Sequence, residues 1–200
     1  MFVNQWMKTN PVTVTSEDYL ATAQEKMRAG SFRHLPVVDD QKLIGIITDR
    51  DLRQHMGHLE RTKVNAATTE NAVTVGPRTT LEEAAKLLLK HKINGLPVMD
   101  GGRLTGMITT SDILKAFLDA MGALEEGTIR IDLLIEGKER TLAGASEIIA
   151  RDGGEILGMG TYQGQWEGST ACYLRLRAGD PERLADALKK DGYKVLGVQA

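Results

Sequence analysis

Several kinds of residue and pattern are scarce in this chain, and each scarcity excludes something. A single cysteine, Cys172, rules out an intramolecular disulfide framework and fits a reducing compartment. Neither sign of charge dominates: 25 Lys and Arg against 27 Asp and Glu leave a net charge of -2, so no global basic field draws in nucleic acid. Aromatic residues, at 4%, are too few to reverse that conclusion. No long apolar run is present; stretches such as Leu43-Ile44-Gly45-Ile46-Ile47 are far too short to cross a bilayer. The start, Met1-Phe2-Val3-Asn4-Gln5, lacks a basic region followed by an apolar one, so no signal peptide is apparent and a cytoplasmic protein is expected. No Ser/His/Asp or Cys/His arrangement suggests a nucleophile and base, which points away from an enzyme. His55 and His58 are three apart, but Gly57 separates them and no third ligand type is near, so surface histidines are the expectation. His91, between Lys90 and Lys92, reads as charge favouring a helix end.

What the chain does contain is a repeat. Residues 3 to 53 laid on 64 to 114, an offset of 61, agree at 17 of 51 positions. Unrelated stretches would agree at about one in twenty, so the duplication is real. Each copy reads as β-α-β-β-α. In the first, Val12 to Val14 is a short strand, and a helix from about Glu17 to Arg28 places Leu20, Ala23 and Met27 on one face and stops at Gly30. Leu35 to Val38, a turn over Asp39-Asp40-Gln41-Lys42, and Leu43 to Thr48 form a hairpin, and a short helix runs on to about His55. In the second copy, Thr79 with Glu82 predicts a capping box before Leu81, Ala84, Ala85 and Leu88. Its hairpin turns through Asp100-Gly101-Gly102-Arg103, whose glycines suit positive φ, and its last helix runs to about Met121. Pro36 and Pro97 lack an N–H, which predicts a strand start or an exposed edge.

The correspondence ends near Gly127, and a second pattern follows. Ile129, Ile131, Leu133 and Ile135 mark a strand; Leu142, Ala145, Ile148 and Ile149 a helix closed by Gly153-Gly154. Strands over Glu155 to Tyr162 and Ala171 to Leu176, a helix opened by Asp180-Pro181, and a strand over Tyr193 to Val198 complete β-α-β-β-α-β, the ferredoxin-like order. Cys172 shares a face with Leu174 and Leu176 and reads as core. Gly158-Met159-Gly160-Thr161-Tyr162-Gln163-Gly164 fails as a dinucleotide loop because no proper helix follows. Tyr162 and Trp166 read as a hairpin-tip pair. The expected organisation is repeat 1 over 1–60, repeat 2 over 61–121, a linker over 122–127 and a last domain over 128–200.

The strongest local signal is Gly45-Ile46-Ile47-Thr48-Asp49-Arg50-Asp51, repeated as Gly106-Met107-Ile108-Thr109-Thr110-Ser111-Asp112. A strand here delivers a Thr to a helix N-terminus, where free N–H groups and the dipole attract an anion such as phosphate. An Asp one turn in can accept hydrogen bonds from a sugar diol, so the pair suits a ribose phosphate. Thr-x-x-Asp is also an ordinary helix cap, and both readings stand at this point. The copies differ in charge: Arg33, His34 and Arg50 in the first correspond to Asn94, Gly95 and Ser111 in the second. If the three basic residues converge, the first site is strongly anion-seeking; a solvated surface pair at Arg33 and His34 is the alternative.

Residues 3 to 120 resemble the tandem CBS domain pair, or Bateman module, on Asn10-Pro11-Val12-Thr13-Val14, Arg33-His34-Leu35-Pro36-Val37-Val38-Asp39, Leu43 to Asp51 and their second-copy equivalents. The resemblance implies a pseudo-twofold pair of units with two clefts that take AMP, ADP, ATP or S-adenosylmethionine as a regulatory ligand, not a catalytic cofactor. It implies Asp51 and Asp112 on ribose, Thr48 and Thr109 near phosphate, and the segments around Thr13, Arg33 to Pro36 (with Leu35), Thr74 and Asn94 to Pro97 (with Leu96) along the base. The C-terminal part resembles the ACT domain, which implies dimerisation. Amino-acid-binding members of that family carry a Pro-Gly turn that Glu136 to Leu142 lacks. The combination is similar to acetoin-utilisation-type accessory proteins. A non-enzymatic regulator follows, signalling to a homodimer partner or client protein, with a ligand-free scaffold or amino-acid sensing as alternatives.

Overall fold

The structure is a computed structural model that describes residues 1–136, 141–163 and 170–199, and the chain divides into two units, Met1–Leu114 and Lys115–Ala200. The elements of the first are β1 (Lys8–Thr9), α1 (Leu20–Gly30), β2 (His34–Asp39), β3 (Lys42–Thr48), α2 (Asp49–Gln54), β4 (Thr69–Glu70), α3 (Leu81–His91), β5 (Gly95–Asp100), β6 (Arg103–Thr109) and α4 (Thr110–Ala120), the last running across the division. Two three-stranded sheets result, ordered β2-β3-β4 and β1-β6-β5.

That order shows an exchange between the copies. Strand β1, from the head of repeat 1, pairs with β6 of repeat 2 through Lys8 with Met107 and Thr9 with Gly106. Reciprocally, β4 from the head of repeat 2 pairs with β3 of repeat 1. The flanking residues follow: Val3 N–H donates to Thr79 O at 2.9 Å, and Val64 N–H donates to Asp18 O at 2.8 Å. Val64 lies in the repeat 1 core with Val14, Leu20, Ala23, Met27, Leu35, Val37, Ile47 and Leu52. Each copy thus closes its core with the other's leading segment.

The expected hairpins form over β2–β3 and β5–β6, with a register shift at Val37/Val38 and at Val98/Met99. The first β-strand of each copy shrinks to a single parallel bridge, Val14 with Val37 and Val75 with Val98. This bridge covers the free edge of β2, so Pro36 is buried at the third position of the strand instead of exposed on an edge. Helix α1 begins at Leu20, three residues later than expected, because Glu17 to Tyr19 are engaged elsewhere: Asp18 holds Thr15 N–H at 2.9 Å and Tyr19 bridges Lys63. The predicted Thr79–Glu82 capping box is displaced by one residue. Thr80 is the cap and accepts from Glu83 N–H, while Thr79 Oγ1 accepts from Gly76 N–H. Both copies turn their hairpins with two residues at positive φ, Gly101 and Gly102 in one but Asp40 and Gln41 in the other.

The second unit contains β7 (Ile129–Ile135), α5 (Leu142–Arg151), β8 (Glu155–Tyr162), β9 (Thr170–Arg177), α6 (Pro181–Lys190) and β10 (Lys194–Gln199). The sheet is antiparallel in the order β10-β7-β9-β8. Both helices pack one face, joining Ala145, Ile148, Ile149, Leu184 and Leu188 to Ile129, Ile131, Leu133, Cys172, Leu174 and Leu176. Cys172 is core, as its spacing predicts, and burial pushes its thiol up to about 11. The turn over 137–140, and Gly164 and Trp166 with the expected Tyr162–Trp166 pair, lie outside the described residues.

Candidate functional site

Each Gly-x-x-Thr-x-x-Asp segment forms the corner where β3 enters α2 or β6 enters α4. Thr48 donates both its N–H (2.8 Å) and its hydroxyl (2.7 Å) to Asp51 Oδ2. Thr109 does the same to Asp112 Oδ2, at 2.8 and 2.5 Å, and Asp112 N–H returns a 3.3 Å bond to Thr109 Oγ1. The threonine hydroxyl proton is therefore spent on the carboxylate, and the helix-start N–H left for a phosphate is that of Arg50 in one copy and of Ser111 in the other. In both copies Asp Oδ1 meets no donor among the described residues. A half-buried acceptor with full capacity remains at each helix start.

The glycine three residues before each Thr serves the exchange. A Cβ on Gly45 would stand 2.3 Å from Thr69 O, and one on Gly106 2.7 Å from Met7 Sδ and 3.0 Å from Lys8 O. The close approach is that of the exchanged strand and its flank, not of a ligand.

The heads of β2 and β5 lie beside these corners. His34 is opposite Thr48 and Gly95 opposite Thr109 in the ladders, while Asp49 N–H donates to Arg33 O at 3.0 Å and Thr110 N–H to Asn94 O at 3.1 Å. Arg33, Arg50, Asn94 and Ser111 are exposed, and neither arginine meets a carboxylate among the described residues. His34 reaches the second copy: its ring Cγ and Nδ1 lie 3.5 Å from where a Cβ on Gly95 would be. Burial, and then Arg33, hold its imidazole below the ordinary histidine range. Leu35 and Leu96 are fully buried, so only their backbone can line a site. Thr13 is half-buried and Thr74 exposed.

Two features escape sequence reasoning. Lys26 reaches from α1 to Thr13 O at 2.9 Å; its equivalent in the second copy is Leu87, and that mismatch was the available signal. On the helix-free face of the second unit's sheet, Asp132 takes two bonds from Arg130, at 2.8 and 2.7 Å, and one from the Tyr162 hydroxyl at 2.9 Å. Arg130 also lies over the Tyr173 ring, 5.0 Å from its centroid. Period-two spacing places Arg130 and Asp132 on one face but cannot show that Tyr162 joins them. Among the described residues, no group of three or more His, Cys, Asp or Glu could hold a metal, and no helix is long and apolar enough to cross a membrane.

Two β-α-β-β-α copies with exchanged leading strands and a capped polar corner in each define a tandem module with a pair of equivalent candidate sites. The chain belongs to the CBS domain family, whose model matches residues 3–58 and 64–119. It is similar to an acetoin utilization protein (AcuB) from Vibrio cholerae, at 32% identity and a TM-score of 0.56 over 63% of this chain and 96% of that one. It is similar to CBSX2 in complex with AMP, at 30% identity and a TM-score of 0.54 over 58% and 96%. A third likeness is to the CBS domain pair of protein MJ0100 in complex with 5'-methylthioadenosine and S-adenosyl-L-methionine, at 28% identity and a TM-score of 0.55 over 58% and 95%. Among curated proteins, inosine-5'-monophosphate dehydrogenase of Staphylococcus aureus is 35% identical over 178 residues, which take in 87% of this chain. The chain spans only 36% of that enzyme. This is a tandem CBS module homologous to pairs that hold adenosine ligands.

Proposed function

We propose that the chain is a non-enzymatic, cytoplasmic sensor of adenosine-containing ligands, AMP, ADP, ATP or S-adenosylmethionine, bound at the two Thr-Asp corners. The observation that carries this is the free Oδ1 of Asp51 and of Asp112. Each is a fixed carboxylate oxygen at a helix start, where ribose hydroxyls can donate to it and phosphate can meet the remaining helix-start N–H, that of Arg50 or of Ser111. The solved neighbours with AMP, 5'-methylthioadenosine and S-adenosylmethionine support the ligand class. Arg50 beside the first corner, against Ser111 beside the second, makes the first the better site for a highly charged ligand.

Repeats over 1–60 and 61–121, a linker over 122–127 and an ACT-like domain over 128–200 are the proposed division of labour. The last domain would convey the ligand state to a second copy or a client. A ligand acts as a signal only if it binds two conformations unequally. A thermal-melt titration tests the reading: at a hundred times its dissociation constant a ligand should stabilise the fold by ~2.7 kcal/mol. No shift with any of the four ligands defeats it. One observation favours a ligand-free dimerisation scaffold instead: Met56 and Phe117, equivalent positions at the 61-residue offset, are 64% and 57% exposed. Dimerisation that persists with no ligand bound would support that reading.

A further inference from the structure

The charge difference between the copies assigns Arg33, His34 and Arg50 to the first repeat, yet the ring of one of the three lies against the second. His34 begins β2 opposite Thr48, so its backbone belongs to the first corner. Its ring instead lies against Gly95, which begins β5 opposite Thr109, the threonine of the second corner. Gly95 is buried, with Met107 Cε also 3.4 Å from the position of its missing Cβ. Being glycine, it sends nothing back. The crossing is therefore one-way: repeat 1 supplies a ring to the backbone of repeat 2, and repeat 2 supplies none in return.

We propose that His34 serves the second site, the Thr109–Asp112 corner, and not the corner of its own repeat. This rests on the nucleotide-sensing reading and changes which residues make the two sites unequal. The first keeps Arg50, a permanent charge in the opening turn of α2. The second gains an imidazole that burial and then Arg33 hold below the ordinary histidine range, which favours its neutral form with one donor and one acceptor nitrogen. Such a ring bonds a hydroxyl, a base edge or a singly charged group but adds little attraction for a polyphosphate. The second site thus suits the less charged adenosine ligands.

The test uses the full chain, AMP and isothermal titration calorimetry. With the first corner muted by Asp51→Asn, His34→Asn should weaken the remaining site by about tenfold, the equivalent of ~1.4 kcal/mol. With the second muted by Asp112→Asn, the same change should move the remaining affinity by less than about twofold. An effect confined to the Asp112→Asn background, or equal in both, overturns the assignment while leaving nucleotide sensing intact. Failure of the wild-type chain to bind AMP defeats the sensing reading itself. A ligand-free measurement separates the two: Gly95→Ala puts a methyl 3.5 Å from the ring and should shift the His34 imidazole NMR resonance, identified by its loss in His34→Asn. An unmoved resonance refutes the crossing whatever binds.

Discussion

Val64→Ala tests whether the structural units cross the boundary of the sequence repeat. Val64 opens repeat 2 in sequence but is fully buried among Val14, Leu20 and Leu52 of repeat 1. Removing two carbons costs ~1.6 kcal/mol in transfer, and an incompletely filled cavity brings the total to about 2–3 kcal/mol. For a unit of this size that lowers the melting temperature by roughly 10 °C. Hydrogen exchange followed by mass spectrometry then reports where protection falls. The expected losses are in α1, β2 and β3, which precede Val64 in the chain, with α3, β5 and β6 better preserved. Losses confined to α3, β5 and β6, or a melting shift under about 2 °C, would refute the exchange.

Two smaller perturbations follow from the same structure. Gln41 is held at φ +64° where the equivalent Gly102 sits at +81° without a side chain. Gln41→Gly should therefore stabilise the unit by about 0.5–1 kcal/mol, read as a rise in melting temperature, and a fall would show the turn is relaxed as it stands. Burial works to raise the pKa of Asp132, but hydrogen bonds from Arg130 and Tyr162 prevail and hold it below the usual aspartate range. The stability it contributes is present above the unfolded value near 4 and is lost as pH falls through the lower folded value. Melting curves from pH 6 to 2 should thus fall less steeply for Asp132→Asn than for the wild-type chain; parallel curves would dismiss the network as a stabiliser.

How much of this was legible in the sequence depends on the distance over which each feature is determined. The hairpins, α3, α6 and the Cys172 core position are set by local alternation and helical spacing, and they form where those patterns place them. The Thr-Asp corners were legible because both partners lie within four residues. The exchange was not, because Lys8-Thr9 and Thr69-Glu70 are two-residue strands whose partners lie dozens of residues away. Gly45 and Gly106 are likewise explained only by the tertiary structure, in which the exchanged segments come close to them. The one-residue shift from Thr79 to Thr80 has the same origin. Thr79 is occupied with Gly76 N–H and, through its carbonyl, with Val3, so the next threonine takes the cap. His34 is the functional counterpart: its neighbours in sequence are Arg33 and Leu35, but its ring is placed by a glycine 61 positions on.

The two readings of Asp51 and Asp112, helix cap and ribose ligand, are not exclusive, because each function uses a different oxygen. Oδ2 takes the threonine N–H and hydroxyl, and Oδ1 is open. Alanine at either position removes both oxygens, so it frays the helix start at a cost of about 1 kcal/mol and weakens binding for a reason unrelated to ribose. Asparagine separates them. Its carbonyl can stand in for Oδ2 and keep both threonine bonds, while its amide replaces the open acceptor with a donor. The cap then survives nearly intact, and a charge-assisted bond worth about 1.5–3 kcal/mol is lost at the ligand, a weakening of roughly 10- to 150-fold. Asp51→Asn and Asp112→Asn should each leave the ligand-free melting temperature within about 2 °C of the wild-type value and each weaken one binding event by that factor in a titration with AMP. If both variants bind as the wild-type chain does, while the alanine variants melt early, the carboxylates are caps alone and the ribose must be held by other groups.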